Sequence, residues 1–492
     1  MVPEGFRVAL DPGARWMGDG TTLVGGSPIR MLRFTSAGRE LIGRLAEGEP
    51  VPRSPAAQKL IRRLLDAGLA HPRPPGPPAA RDAVTAVVPV RNDAEGLYAT
   101  LAALGRDLAA VVVDDASADR VTLDACCTAP AVTLLHRGVQ GGPAAARNDG
   151  WRAASQPFIA FVDANCEPEP GWLDALLPHF TDPEVAAVAP RIVAGAAGIA
   201  TMAAYESVAS PLDLGDREAL VRPRSPVTYV PTAALVVRRG ALEALGGFDE
   251  RLTVGEDVDF IWRLVGAGWT VRYEPRAVVR HPIRPSWRAW LEQRYRYGTS
   301  AAALARRHGA AVAPAVVSPW TAAAWTLAAT GHLVGAATVA GYSVAALTGV
   351  PAKLGKRSTS EVPIPSPAFD SGGKRRAHLP AREAVRLAGL GHVRGGLALA
   401  RAVRRAWPVP AVLLAAVSRR SRPALAAAAV VPPALEWWQR RPALDPVRFV
   451  GLRLVDDLAY AAGVSAGCVR ERSPRALLPD LRSASARPGA PD

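Results

Sequence analysis

Residues 83–90 read AVTAVVPV and residues 110–113 read AVVV. Each is an unbroken apolar run that stops at a polar loop, Arg91-Asn92 after the first and Asp114-Asp115-Ala116-Ser117 after the second. Apolar runs without alternation fit strands covered on both faces, the pattern of a parallel sheet. Asp93 to Leu104 fits a helix between them, and Phe158 to Val162 is a further buried strand. The alternation is that of a β-α-β series, which presents its ligands at the carboxyl ends of the strands. The residues just past each run are therefore the candidates for chemistry.

Pro89 near the end of the first run predicts an abrupt exit into a loop. Asp114 and Asp115 can accept hydrogen bonds from a base or ribose, and equally well cap the next helix. Gly141-Gly142-Pro143 opens a helix that carries Arg147 and Asn148, a turn suited to close phosphate approach. Asp163-Ala164-Asn165 sets two oxygen side chains two residues apart after a buried strand, a spacing that can hold a divalent cation. Leu245-Gly246-Gly247-Phe248-Asp249-Glu250 precedes Gly255-Glu256-Asp257-Val258-Asp259-Phe260, an acid cluster opening a helix, where the dipole favours acids in any case. His281 fits a metal ligand or a packed loop histidine, and Gln293-Arg294-Tyr295-Arg296-Tyr297 supplies cations for a diphosphate.

In this order, VVPVRN, VVVDDAS, GGPAAARN, FVDAN, GGFDE, GEDVDF and QRYRY make the chain from Thr85 to about Tyr297 resemble a family 2 glycosyltransferase of the GT-A fold. The resemblance implies an inverting enzyme that uses a nucleotide-diphosphate sugar and Mg²⁺ or Mn²⁺. By position it assigns the donor to Pro89, Arg91, Asn92, Asp114, Asp115, Gly142, Arg147, Asp163, Ala164 and Asn165. It gives Asp163, with Asn165 and His281, the metal, and Asp257, beside Glu256, the role of general base. Gln293, Arg296 and Tyr297 resemble the QxxRW element of processive synthases, with Tyr for Trp, and serve diphosphate and acceptor. The usual second carboxylate of DxD is Asn165 here, a neutral oxygen ligand.

The rest of the 492-residue chain predicts further domains. Gly5 to Leu10 and Thr21 to Val24 fit short strands, and Leu41, Ile42 and Leu45, then Leu60, Ile61, Leu64 and Leu65, fit two helix faces closed by Gly68. Residues 1–72 resemble a PqqD-like peptide-recognition domain, a small α+β, winged-helix-like unit, which implies binding of a peptide by strand addition. HPRPPGPP from His71 reads as a stiff extended linker, so 73–81 separates this domain from a catalytic domain at 82–305.

Of the net charge of +15, nearly all lies after residue 350, where 24 Lys and Arg face 10 Asp and Glu. That excess lacks interleaved aromatics and argues against nucleic acid. It brackets apolar stretches instead: no Asp, Glu, Lys or Arg lies between Arg307 and Lys353, enough for two crossings with a turn near Gly331 to Gly335. Trp407 to Ser418 and Pro423 to Leu435 are too short to span and fit the interface of an anionic membrane surface; a soluble Ala-rich helical region is the other reading. The expected segments are an apolar hairpin at 306–352, a basic loop at 353–380, a helical membrane-associated region at 381–470 and a tail at 471–492. Four Cys without a CxxC pair, and no apolar run after Met1, predict a reducing compartment and the cytoplasmic face of the membrane.

The three parts together resemble the mycofactocin-system glycosyltransferases. That implies a UDP-sugar donor, glucose, added in successive β-linked steps to a mycofactocin precursor, a peptide-derived redox cofactor. Two other functions compete: a glycosyltransferase of envelope polysaccharide or glycolipid, and a peptide-binding scaffold without activity.

Overall fold

The computed structural model describes residues 2–17, 20–26, 29–75, 81–195, 198–348 and 381–481. Most of the expected Pro-rich linker, the basic loop at 353–380 and residues 482–492 of the tail lie outside the described residues. The chain forms two compact units, Met1–Ser286 and Trp287–Asp492.

The first unit begins with β1 (Arg7–Leu10), β2 (Arg15–Met17), β3 (Thr22–Gly25), β4 (Arg30–Arg33), α1 (Ser36–Ala46), α2 (Pro55–Asp66) and β5 (Ala70–Arg73). Thr35 and Ser54 cap the two helices by accepting the Gly38 and Ala57 amides, and Pro55 takes the first helical position, where its missing N–H costs no bond. Ile42, Leu45, Ile61, Leu64 and Leu65 meet Phe6 and Leu23 in one core. Gly68, at φ +64°, reverses the chain so that the Leu69 amide returns to the Leu64 carbonyl. The stretch from His71, expected as linker, starts instead as a strand. Residues 70–73 pair antiparallel with β1, and Pro72 opposes Val8 in a two-stranded sheet, where an edge tolerates the absent N–H.

The catalytic lobe follows: β6 (Val84–Val90), α3 (Ala94–Leu104), β7 (Ala110–Asp114), α4 (Arg120–Cys126), β8 (Val132–His136), α5 (Gly142–Ala153), β9 (Phe158–Val162), β10 (Glu167–Pro168), α6 (Trp172–Leu176), β11 (Val185–Ala194), α7 (Ala200–Ala209), β12 (Ala219–Val221), β13 (Ala234–Arg238), α8 (Arg239–Leu245), α9 (Glu256–Gly266) and β14 (Thr270–His281). One mixed sheet runs β10-β14-β11-β13-β9-β6-β7-β8, with β12 on β14. Strands β8, β7, β6 and β9 are parallel; β13 enters antiparallel between β9 and β11. The chain leaves β6 toward β7 and β8, then returns to its other side as β9. The crevice beyond the ends of β6 and β9 is thus the switch point of the sheet.

The N-terminal lobe clusters with the catalytic lobe rather than apart from it. Arg62 of α2 makes two 3.0 Å bonds to the Asp182 carboxylate, and Arg73 of β5 donates to both oxygens of Glu218. Such two-point pairs fix direction as well as distance.

The second unit is helical: α10 (Trp287–His308), α11 (Pro319–Ala329), α12 (Leu333–Thr348), α13 (Ala381–Arg405), α14 (Pro408–Val417), α15 (Arg422–Arg440) and α16 (Pro446–Arg470). The sequence-based boundary after residue 305 falls near the end of α10, which lies wholly in this unit. α11 and α12 reverse at Gly331, φ +85°, but with 11 and 16 residues fall short of the about 20 that a bilayer needs. No described helix is long and apolar enough to cross a membrane. Buried ion pairs link the bundle: Arg294 with Asp456 at 3.2 Å, and Arg404 and Arg405 with Asp457 at 2.7 and 2.9 Å.

α10 and α16 touch backbone to backbone, and a Cβ on Gly463 would strike the Tyr295 carbonyl. Gly463→Ala is therefore expected to cost about 1–3 kcal/mol, read as a lower urea midpoint for the helical unit. An unchanged midpoint would contradict this crossing.

Candidate active site

The loops at the switch point are tied to each other before any ligand is considered. Past β6, Asn92 takes a left-handed conformation at φ +52°; its amide donates to Ser117 Oγ at 2.8 Å and its Oδ1 accepts from the Ala118 amide at 2.9 Å. Pro89 sits where β9 has already stopped pairing with β6, at Val87, so its missing N–H breaks no bond on that side. Arg91 is exposed.

Asp114 and Asp115 are less open than the sequence suggests. Asp114 has no exposed surface: Oδ1 accepts the Ser117 amide at 2.9 Å and Oδ2 meets His136 Nδ1 at 2.9 Å. Burial works against its ionised form, but the bonds from Ser117 and His136 hold it below the usual carboxylate range. It is a strut under the loop that follows β7. Asp115 accepts the Gly141 and Gly142 amides at 2.7 and 2.8 Å, with Arg137 at 3.1 Å. The Gly142 amide, expected to face phosphate, is thus taken by Asp115.

The centre of the site is an arginine. Arg147, on α5, is 3% exposed and donates through Nη2 to Asp163 Oδ1 at 2.7 Å and through Nη1 to Glu256 Oε1 at 2.9 Å. Asp163 follows β9; Glu256 begins α9. Arg147 and Glu256 thus brace the loop after β9 to the start of α9. Its neighbour Asn148 grips the GGFDE loop, donating to the Phe248 carbonyl at 2.9 Å and to Glu250 at 2.8 Å while accepting the Phe248 amide at 2.9 Å. Gly247, at φ +77°, has no room for a Cβ beside Asn148. On α9, Arg263 bonds Asp259 at 2.7 Å and the Gly247 carbonyl at 2.8 Å, and Trp262 donates to the Thr228 carbonyl at 2.7 Å. α9 is fixed at both faces.

Asp257 stands apart from the brace. Its Oδ1 accepts the Val258 amide at 2.7 Å, and burial, then the charge of Glu256, push the carboxyl up to about 7. Oδ2 is left to take a proton near neutral pH.

Asp163 offers Oδ2 on the open side, its side chain 31% exposed, and half-buried Asn165 carries its Oδ1 4.0 Å from the Cys166 thiol. Ala164 between them is buried, its carbonyl packed against Gly96. The charge of Asp163 also acts on His281 at the end of β14. His281 Nδ1 lies 2.8 Å from the Pro282 carbonyl, so it donates there and leaves the Nε2 lone pair free, while burial lowers its proton affinity and keeps it neutral. This donor set of carboxylate, amide and imidazole suits a divalent cation, although no three His, Cys, Asp or Glu side chains gather into a metal-holding group among the described residues. Beside His281, Arg284 has a buried Nε without a partner. Sequence reasoning missed this cation, whose signal is its place three residues after His281.

Gln293, Arg296 and Tyr297 lie on α10, in the second unit. Gln293 donates to Tyr297 Oη at 3.0 Å, and Arg296 is exposed.

Residues 85–246 match the family described as Glycosyl transferase family 2. A pre-mycofactocin glycosyltransferase of Mycobacterium tuberculosis is 43% identical over 491 residues, covering 98% of this chain and 99% of that protein. The glycosyltransferase AglE of Haloferax volcanii is 26% identical over 44% of this chain and 71% of its own length. Among solved structures, the mannosyltransferase PcManGT from Pyrobaculum calidifontis, in complex with GDP-Man and Mn²⁺, is 19% identical with a TM-score of 0.37, covering 65% of this chain and 89% of that one.

Removing the central cation should expose what it holds. Arg147→Met leaves two carboxylates facing each other unpaired, at an expected cost of about 3 kcal/mol, with activity lost as Asp163 and Glu256 separate. A variant that melts like the wild type would contradict the brace.

Proposed function

The chain belongs to the pre-mycofactocin glycosyltransferases, members of glycosyl transferase family 2 that act in mycofactocin biosynthesis, and we propose that it transfers glucose from a UDP-sugar to the mycofactocin precursor with inversion at C1. The observation that carries this reading is that Arg147 ties the loop after β9, at Asp163, to Glu256 at the start of α9, the helix that bears Asp257.

In this reading uridine lies along Pro89, Arg91 and Asn92, with Asp115 at its edge. Asp163, Asn165 and His281 hold Mg²⁺ or Mn²⁺, which when bound neutralises charge on the diphosphate. Arg284 adds a fixed cation on the same side. Asp257 Oδ2 accepts the proton of the acceptor hydroxyl as its oxygen attacks C1 from the face opposite the diphosphate. Repeated addition gives a β-linked chain. The N-terminal lobe, whose three-stranded sheet leaves β2 and β4 as open edges, binds the peptide or its remnant by strand addition.

The helical unit rests on the cytoplasmic, anionic face of the membrane. α14 has no polar side chain, yet Val412, Leu413 and Val417 are 69%, 62% and 84% exposed, and exposed Arg419 and Arg420 follow it. An apolar helix with so much free surface, edged by arginines, suits the lipid interface.

Asp257→Asn is expected to bind UDP with unchanged affinity while transfer falls about 10²-fold or more; loss of UDP binding would contradict the base assignment. The wild-type rate should rise with pH through about 7, where Asp257 ionises. Because folding raises this carboxyl, its protonated form is the stable one. That contribution is full below about pH 4 and lost as pH rises through 7, so Asp257→Asn should melt above the wild type at pH 8 and with it near pH 4.

Full-length protein should sediment with vesicles containing anionic lipid, and replacing Val412 and Leu413 by Asp should leave it in the supernatant. Wild-type protein that stays in the supernatant would overturn the membrane reading.

A further inference from the structure

The sheet edge that faces the N-terminal lobe buries charge without pairing it. Arg272 of β14 is 4% exposed, and its Nε and Nη1 have no hydrogen-bond partner. It stands opposite Leu220 of β12. Arg222 directly follows the end of β12, two residues after Leu220, and its Nε is also buried without a partner. The charges of Asp182, Glu218, Arg62 and Asp66 act on Arg272, and those of Arg30 and Asp66 on Arg222, which places the pair at the seam between the lobes.

Two of the nearby acids are committed elsewhere, and the third, Asp66, acts on both arginines through its charge. Asp182 is held by both arms of Arg62 and Glu218 by both arms of Arg73; Asp66 is exposed at the end of α2. Burial accordingly outweighs these acids and lowers Arg272 to about 10; it lowers Arg222 as well. A guanidinium cannot escape by losing its proton at physiological pH, so two under-paired arginines are a standing cost to the fold.

We propose that Arg272 and Arg222 form a carboxylate-binding site in this seam, distinct from the Arg147 centre. The unpaired Nε and Nη1 of Arg272 match the two oxygens of one carboxylate, and Arg222 Nε, just past β12, offers a third donor, with Arg30 at the rim. The carboxylate belongs either to a small dicarboxylic acid or to an acidic side chain of a peptide, and the site needs none of the transfer residues.

The test follows thermal unfolding of the full-length protein in sodium succinate, with sodium chloride at equal ionic strength as control. A second pair of samples contains a short Glu-containing peptide or its Gln counterpart. Wild-type protein should gain stability saturably with succinate or the Glu peptide and not with the controls; a response to both, or to succinate alone, marks a small acid, and to the peptide alone a peptide carboxylate. Arg272→Met should melt higher than the wild type without ligand, because an unpaired buried charge is gone, and should no longer respond. Arg222→Gln should keep the fold and weaken the response about tenfold, the scale of one charge-assisted hydrogen bond. Equal responses to succinate and chloride together with equal responses to the Glu and Gln peptides, or a full response retained in Arg222→Gln, would overturn the site.

Discussion

A single buried guanidinium organises the catalytic lobe. Arg147 reaches from α5 to Asp163 past β9 and to Glu256 at the start of α9. Like charges at Asp163 and Glu256 would drive their loops apart; the cation between them lets both carboxylates share one crevice. Its cost is low because both partners are charge-assisted acceptors at short range and its face packs over Phe248. Glu256 spent on this brace leaves Asp257 unpaired beside it, and burial with a neighbouring negative charge is what raises Asp257 toward neutrality. The brace and the base are one arrangement.

The polar residues at the strand ends divide into those that hold and those that act. Asp114, Asn148 and Asp259 have their bonding capacity met by amides, carbonyls and side chains of their own lobe. Asp163 keeps an oxygen toward solvent, and Arg284 keeps a buried Nε without a partner. Family membership gives the reaction, glycosyl transfer in mycofactocin biosynthesis.

Much of this was legible in the sequence because buried parallel strands leave an unmistakable trace. The strand Phe158–Val162 was readable residue for residue, and β6 and β7 within one residue at an end, since a strand covered on both faces must be apolar throughout and turn polar where it meets solvent. β8 was missed: Val132 to His136 is half-exposed at the sheet edge and lacks the continuous apolar signal. β5 was missed because prolines after His71 read as linker, although one proline is tolerated in an edge strand. At the site, residue type and position identified the cluster but not the duties within it. The sequence alone gives no sign that Glu256, unlike Asp257, is paired; its partner Arg147 lies more than 100 residues away. Likewise Asp114 and Asp115 look equivalent until the β7–β8 loop closes over the first.

The central claim is that this crevice adds sugars to mycofactocin through Asp257. Mass spectrometry of mycofactocin-type small molecules tests it in cells lacking the gene, complemented either with the wild type or with Asp257→Asn. The account predicts a ladder of species spaced by one hexose with the wild type, and its absence both in the deletion and with the variant. A ladder that persists in the deletion, or returns in full with Asp257→Asn, would contradict it.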